Sequence, residues 1–256
     1  MNAKSNVHVS SSVDGAAKAA ADFWLQCATA AIQKRGAFYV AFSGGSTPKY
    51  LHRYLLMDEY REKIDWSKVH AFFGDERMVG RDHPDSNYRM VRETLLDHTD
   101  IPRANIYPVV DDARLASAEP AQSASVFAAN YAKILDEILP HDKQGRIKFD
   151  LVMLGMGADG HTASLFPGTS ILEESARNVA EVYVEKLKAW RVSLTFPVIE
   201  QAHQRLLLIC GEDKAEVLAK VLRPADKHDY PVKRFASMPD SQWFLDQAAA
   251  SKLGAA

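Results

Sequence analysis

Three short, mainly apolar segments, each followed by a polar loop that contains glycine, constrain this chain more than any other feature. They are Ala37 to Phe42, Val69 to Phe73 and Phe149 to Leu154. A continuous apolar run of that length suits a strand covered on both faces, as in a parallel sheet. Helical segments separate the runs. Ala16 to Arg35 carries Phe23, Trp24, Ala28, Ala31 and Ile32 near helical spacing, and Gly36 stops it. Pro48 to Leu56 follows the first run, and Ser86 is placed to cap a helix from Asn87 to Leu96. Ala121 to Leu139 is a longer helix between Pro120 and Pro140. Val179 to Val184, Arg191 to Thr195 and Arg205 to Cys210 are expected strands, and Glu212 to Leu222 a closing helix. The alternation predicts an α/β, Rossmann-like fold: a mostly parallel sheet with helices on both faces. With no repeat, low-complexity tract or linker, residues 1–256 are expected to form one domain. The N-terminal dozen residues are expected to be a frayed or weakly paired lead-in, and Gly74 to Asp85 a long polar loop.

The formal net charge of -2 argues against a dedicated nucleic-acid binder, which would carry a basic excess. A near-neutral total still allows a local basic pocket for an anion. Met1 to Gly15 has no apolar core of a secretory signal, and no stretch is long enough to span a bilayer, so a cytoplasmic location and no membrane partner are expected. Cys27 and Cys210 are expected to be buried thiols. The nine histidines show no metal-ligand spacing, so no metal is expected.

In such sheets, ligands bind beyond the carboxyl ends of the strands, where this chain has three notable loops. In Ser43-Gly44-Gly45-Ser46-Thr47-Pro48, Pro48 suits a first helical position and Thr47 is the natural N-cap. The glycines allow close backbone approach, and the hydroxyls of Ser43, Ser46 and Thr47 can donate. The helix start is a ready anion site, although a tight turn with an ordinary cap would have the same sequence. In Gly74-Asp75-Glu76-Arg77 the charges must be solvated or paired. A solvated corner is one reading; the other puts Arg77 over an anionic or carbonyl oxygen and Asp75 on substrate hydroxyls. The third loop, Gly155-Met156-Gly157-Ala158-Asp159-Gly160-His161, matches the dinucleotide fingerprint literally. Pro167 and Gly168 come too soon after it for a full crossover helix. The alternative makes His161 a base, neutral near physiological pH, with Asp159 fixing its tautomer or binding substrate.

Taken together, the segments are familiar. Phe42 to Pro48, Gly74 to Arg77, His83 to Tyr88, Gly155 to Pro167, Arg191 to Thr195 and Gly211 to Lys214 run in family order. The chain resembles the 6-phosphogluconolactonase family of the sugar-phosphate isomerase/lactonase superfamily. The resemblance implies a Rossmann-like fold, no cofactor, and a phosphorylated sugar lactone as substrate: 6-phospho-D-glucono-1,5-lactone, opened to 6-phosphogluconate in the oxidative pentose phosphate pathway. It also implies roles. Ser43, Gly44, Gly45, Ser46 and Thr47, with Arg191 and Lys214, would bind the phosphate. His161 would activate water beside Asp159, and Asp75 and Arg77 would contact substrate. The amino-sugar phosphate isomerase/deaminase branch carries a glutamate five residues after its histidine, where this chain has Phe166. An aromatic ring cannot shuttle a proton, so lactone hydrolysis is expected in place of isomerisation. A non-catalytic sugar-phosphate-binding module is the remaining alternative; it would normally carry an attached DNA-binding helical module, which this sequence does not display. Val79-Gly80 and Pro231-Val232-Lys233 depart from the lactonase pattern.

Overall fold

The computed structural model describes residues 6–115, 119–223, 226 and 228–254. Its strands are β1 (Val7–Ser10), β2 (Phe38–Phe42), β3 (Val69–Phe73), β4 (Asp75–Arg77), β5 (Leu151–Leu154), β6 (Val179–Val184), β7 (Ala189–Leu194), β8 (Gln204–Ile209) and β9 (Ser241–Asp246). Its α-helices are α1 (Val13–Arg35), α2 (Pro48–Leu55), α3 (Asp58–Arg61), α4 (Asn87–Thr94), α5 (Asp112–Leu115), α6 (Pro120–Ile138), α7 (Phe196–Gln201) and α8 (Ala215–Val221).

The apolar runs become neighbours because each has hydrocarbon to bury on both faces. Six strands form one wholly parallel sheet in the order β1-β9-β8-β5-β2-β3. Phe38, Val40, Phe42, Phe72 and Val152 are all fully buried. From β2 the chain steps outward to β3, then returns to place β5 on the other side of β2. The strand order reverses there, so the loops leaving β2 and β5 diverge and open a crevice at the carboxyl edge of the sheet.

Three further strands form a separate antiparallel sheet, β4-β7-β6. Gly74 joins the two sheets. Its N–H donates to Phe42 O at 2.9 Å, while its carbonyl accepts from Leu194 N at 2.9 Å. Residues of both sheets belong to one continuous apolar core.

The helix ends follow local chemistry. Ser12 caps α1 by accepting from Gly15 N, and Gly36, at φ 79°, closes it in the left-handed conformation. Alanines 16, 17, 20, 21, 28 and 31 are buried in α1, bringing its axis close to its neighbours. No helix among the described residues is long and apolar enough to cross a membrane.

Four expectations need correction. Where a frayed or weakly paired lead-in was expected, Val7–Ser10 pairs along its whole length with β9 as a parallel edge strand; residues 1–5 lie outside the described residues. The polar loop after β3 contains β4, which pairs with β7. Ser241–Asp246 is a strand that the sequence reading did not include. Thr47 sits in right-handed helical conformation and makes no side-chain cap. Its hydroxyl is therefore not committed to the helix.

Candidate active site

The loop after β2 approaches the crevice through Gly44. A Cβ on Gly44 would lie 1.9 Å from Asn87 Oδ1, so only glycine fits there. Asn87 opens α4, which is strongly anchored. Ser86 Oγ accepts from Arg89 N. The buried Glu76 carboxylate accepts from Asn87 N and Tyr88 N, each at 2.8 Å, and from Ser86 Oγ. A carboxylate on free amides at a helix start is favourable, although burial pushes Glu76 up from the usual carboxylate range. Glu76 is therefore a structural anchor.

Asp75, its neighbour on β4, faces the crevice. Its Oδ1 accepts from Asn87 Nδ2 at 3.0 Å, and its Oδ2 accepts from Ser164 Oγ at 2.6 Å. Arg191 Nη1 stands 3.9 Å from that same Oδ2. Arg77 and Arg191 are directly opposed in the β4–β7 register. Two like charges in facing positions repel. Burial pulls the Arg191 guanidinium down, with Asp75 opposing.

The glycine-rich loop after β5 opens no helix. It forms a tight turn in which Gly157 N donates to His161 O and Gly160 N to Gly157 O, both at 2.9 Å. Gly160 takes φ 76°. The next helical turn is a short 3-10 segment, Ser170–Glu173. The dinucleotide match therefore lacks the helix start that would hold a pyrophosphate. A Cβ on Gly157 would lie 2.1 Å from both Cε1 and Nδ1 of His161, so the ring folds over a place that only glycine leaves open. His161 Nδ1 meets Asp159 Oδ1 at 2.5 Å. That contact fixes Nδ1 as the protonated nitrogen and leaves Nε2 as the working atom. Burial opposes ionisation of Asp159, but hydrogen bonds from Lys186 and His161 outweigh it and hold the carboxyl at about 2. His161 also stacks on Phe166, with ring centroids 4.0 Å apart.

One cleft of about 250 Å³ gathers these loops. Ser43, Gly44, Gly45, Ser46, Thr47, Asp75, Arg77, His161, Arg191 and Lys214 all line it. Lys214, just before α8, pairs with Asp213 Oδ2 at 2.6 Å. Asp159 is the exception among the expected residues: it does not line the cleft and touches it only through His161. Asn87, Gly157, Thr162 and Ala163 also line the cleft; the sequence placed them in matching segments and gave them no role of their own. Asn87 is the most consequential of them. Its sequence signals were its place after a capping serine and within the segment His83 to Tyr88.

Among the described residues, seven buried side-chain atoms have no hydrogen-bond partner, and four of them, Arg77 Nε, Asn87 Oδ1, Thr162 Oγ1 and Arg191 Nε, belong to residues of this cleft. Buried polar atoms are nearly always paired. Their concentration here, beside two facing arginines and a lysine, suits a polar, anionic ligand. No group of three or more His, Cys, Asp or Glu that could hold a metal occurs among the described residues.

Comparison with known proteins agrees with this geometry. The family model described as glucosamine-6-phosphate isomerases/6-phosphogluconolactonase matches residues 11–243. A 6-phosphogluconolactonase of Synechocystis sp. is 39% identical over 226 residues, covering 88% of this chain and 88% of the relative. A probable 6-phosphogluconolactonase of Arabidopsis thaliana is 40% identical over 86% of this chain and 84% of its own length. The solved structure of 6-phosphogluconolactonase from Trypanosoma brucei superposes with a TM-score of 0.85 at 32% identity, covering 98% of this chain and 99% of the other. The chain belongs to the glucosamine-6-phosphate isomerase/6-phosphogluconolactonase family.

Proposed function

We propose that this chain hydrolyses 6-phospho-D-glucono-1,5-lactone to 6-phosphogluconate in the cytoplasm, with His161 activating the water. One observation carries the reading: His161, with Nδ1 committed to Asp159, lines the same cleft as the Ser43–Thr47 loop, Arg191 and Lys214. The curated relatives of this chain carry the lactonase name.

The phosphate docks on the start of α2, where Ser43, Ser46 and Thr47 line the cleft and can offer hydroxyls and loop amides, with Arg191 and Lys214 supplying positive charge. Binding energy from that remote group positions the ring. His161 Nε2 takes a proton from a water aimed at the lactone carbonyl. The hydroxide oxygen bonds to the carbonyl carbon, and the carbonyl oxygen becomes an oxyanion stabilised by donors already in place, Arg77 or loop amides. The carbon–oxygen bond to the ring breaks, and the ring oxygen takes the proton back from His161. Asp159 holds the imidazole tautomer throughout.

Phe166 disfavours the isomerase alternative. Its ring covers His161 at 4.0 Å, where ring opening of an amino sugar would need a proton carrier. The test is acid release from freshly prepared 6-phosphogluconolactone, corrected for spontaneous hydrolysis. His161→Asn should lower kcat by about two to four orders of magnitude, with the affinity for 6-phosphogluconate little changed. Near-normal turnover in that variant removes His161 from the mechanism. Ammonia release from an amino-sugar phosphate by the wild type would overturn the lactonase assignment.

A further inference from the structure

The outer oxygen of Asp159 is held by a residue from the other sheet. The connection from β6 to β7 is a single 3-10 turn, Glu185–Leu187, closed by Lys188 in the left-handed conformation at φ 47°. From that turn Lys186 Nζ donates to Asp159 Oδ2. The same ammonium lies 5.1 Å from the centroid of the Phe166 ring, which in turn stacks on His161. Asp159 Oδ1 is already engaged by His161, through Nδ1 at 2.5 Å and the backbone N–H at 3.3 Å. Each carboxylate oxygen therefore has its own cationic or polar partner, and the two partners come from different sheets. Lys186 itself does not line the cleft.

We propose that Lys186 is a positioning residue that sets the orientation and basicity of His161 by holding the outer oxygen of Asp159. The inference rests on the reading of His161 as the base. A carboxylate with no counter-charge draws a proton onto the neighbouring imidazole, and an imidazolium cannot accept one from water. Lys186 shares the carboxylate's charge and so weakens its pull on the imidazole proton. It also prevents Asp159 from swinging about its χ angles, which would release Nδ1 and free the ring to turn. The depressed pKa of Asp159 is consistent with this grip. The other charged or titratable groups facing the pair are Tyr230, which packs over Gly160, and Asp75, Arg77, Arg191 and Lys214, which share the cleft. None of these has a hydrogen bond to Asp159 among the described contacts, which leaves Lys186 as its cationic side-chain partner besides His161.

The test compares Lys186→Met, Lys186→Arg and Lys188→Gln in the full chain. The ring protons of His161 are followed by NMR in the free protein, alongside the pH dependence of kcat/KM on 6-phosphogluconolactone. Lys186→Met should move the His161 midpoint upward by roughly half a unit, the modest size reflecting a partly exposed, screened charge. The acid limb of the rate profile should move with it, and kcat should fall while KM stays within about twofold. Lys186→Arg should restore both. Lys188→Gln, which removes the same charge from the same turn without touching Asp159, should leave both in place. An unmoved His161 midpoint in Lys186→Met overturns the proposal, as does a raised KM with unchanged kcat, which would mean that Lys186 meets substrate directly. The NMR midpoint is independent of what His161 does in catalysis. A shifted midpoint with an unmoved rate profile would uphold the coupling and reject His161 as the base.

Discussion

Two glycines hold the site open, each for a neighbour distant in sequence or folded back in the loop. Gly44 leaves room for Asn87, and Gly157 leaves room for the His161 ring. Gly157 is not among the positive-φ residues, so alanine suits its backbone, and the conflict is with the imidazole and, at 2.8 Å, with Asp159 Oδ1. Gly157→Ala should therefore leave the fold intact and displace the base. The expected outcome is a loss of at least about a hundredfold in kcat, the scale of an ångström-sized misplacement, with a thermal midpoint close to wild type. Circular dichroism melts and steady-state rates on one preparation check it; a normal kcat would show that the ring has another resting place. Arg191→Met tests the anion grip. It removes a half-buried cation opposite Arg77 and should raise KM for the lactone by tenfold or more, with a smaller change in kcat. At this scale the sequence was informative where chemistry concentrated within one loop: the turns at 43–47 and 155–161 were legible because glycines, hydroxyls and a histidine sit together. The roles of Asn87, Ser164 and Lys186 were not, because each depends on a partner at least twelve residues away, Asp75 or Asp159.

Elements were legible where their own residues decide them and obscure where pairing does. The apolar, largely buried segments became β2, β3 and β5, and caps and stops bounded α1 and α4. β4 is Asp-Glu-Arg, which no strand propensity favours. It is extended because Gly74 hands the chain from β3 to the edge of β7. β1 likewise exists through its pairing with β9. His52 shows a consequence of helix packing. It is fully buried on α2, and its Nδ1 lies 2.8 Å from Thr94 Oγ1 on α4. The Thr94 hydroxyl already donates to Met90 O, so the imidazole is the donor. Burial pulls His52 down from 6.5 to about 3. Below pH 6.5 the unfolded chain takes a proton that the folded chain refuses. This contribution to stability is complete above the unfolded pKa and declines as pH falls toward the folded one, by about 1.4 kcal/mol per pH unit. His52→Met should flatten that decline between pH 6 and 4. Urea unfolding of both proteins at several pH values checks it; equal slopes would mean that the folded protein admits the proton.

At the scale of the whole molecule, the cleft lies where the two sheets meet. Ser43 to Thr47 and His161 come from loops of the parallel sheet, while Asp75, Arg77 and Arg191 stand on the antiparallel one. The overall charge of -2 offers no long-range attraction for an anion, so recognition must come from the local cations. A phosphorylated ligand spanning the cleft would tie the sheets together, and binding to the folded state alone adds stability by mass action. At one hundred times its Kd, 6-phosphogluconate should add about 2.7 kcal/mol, raising the thermal midpoint by roughly 5–10 °C for a chain of this size. Gluconate, which keeps the hydroxyls and carboxylate and lacks the phosphate, should give little of that rise. Hydrogen exchange should slow on both sides of the junction, in the loop after β2 and along β4 and β7. Protection confined to the β2 loop would place the ligand on the helix start alone and leave Arg77 and Arg191 without the role that their facing positions and unpaired Nε atoms indicate.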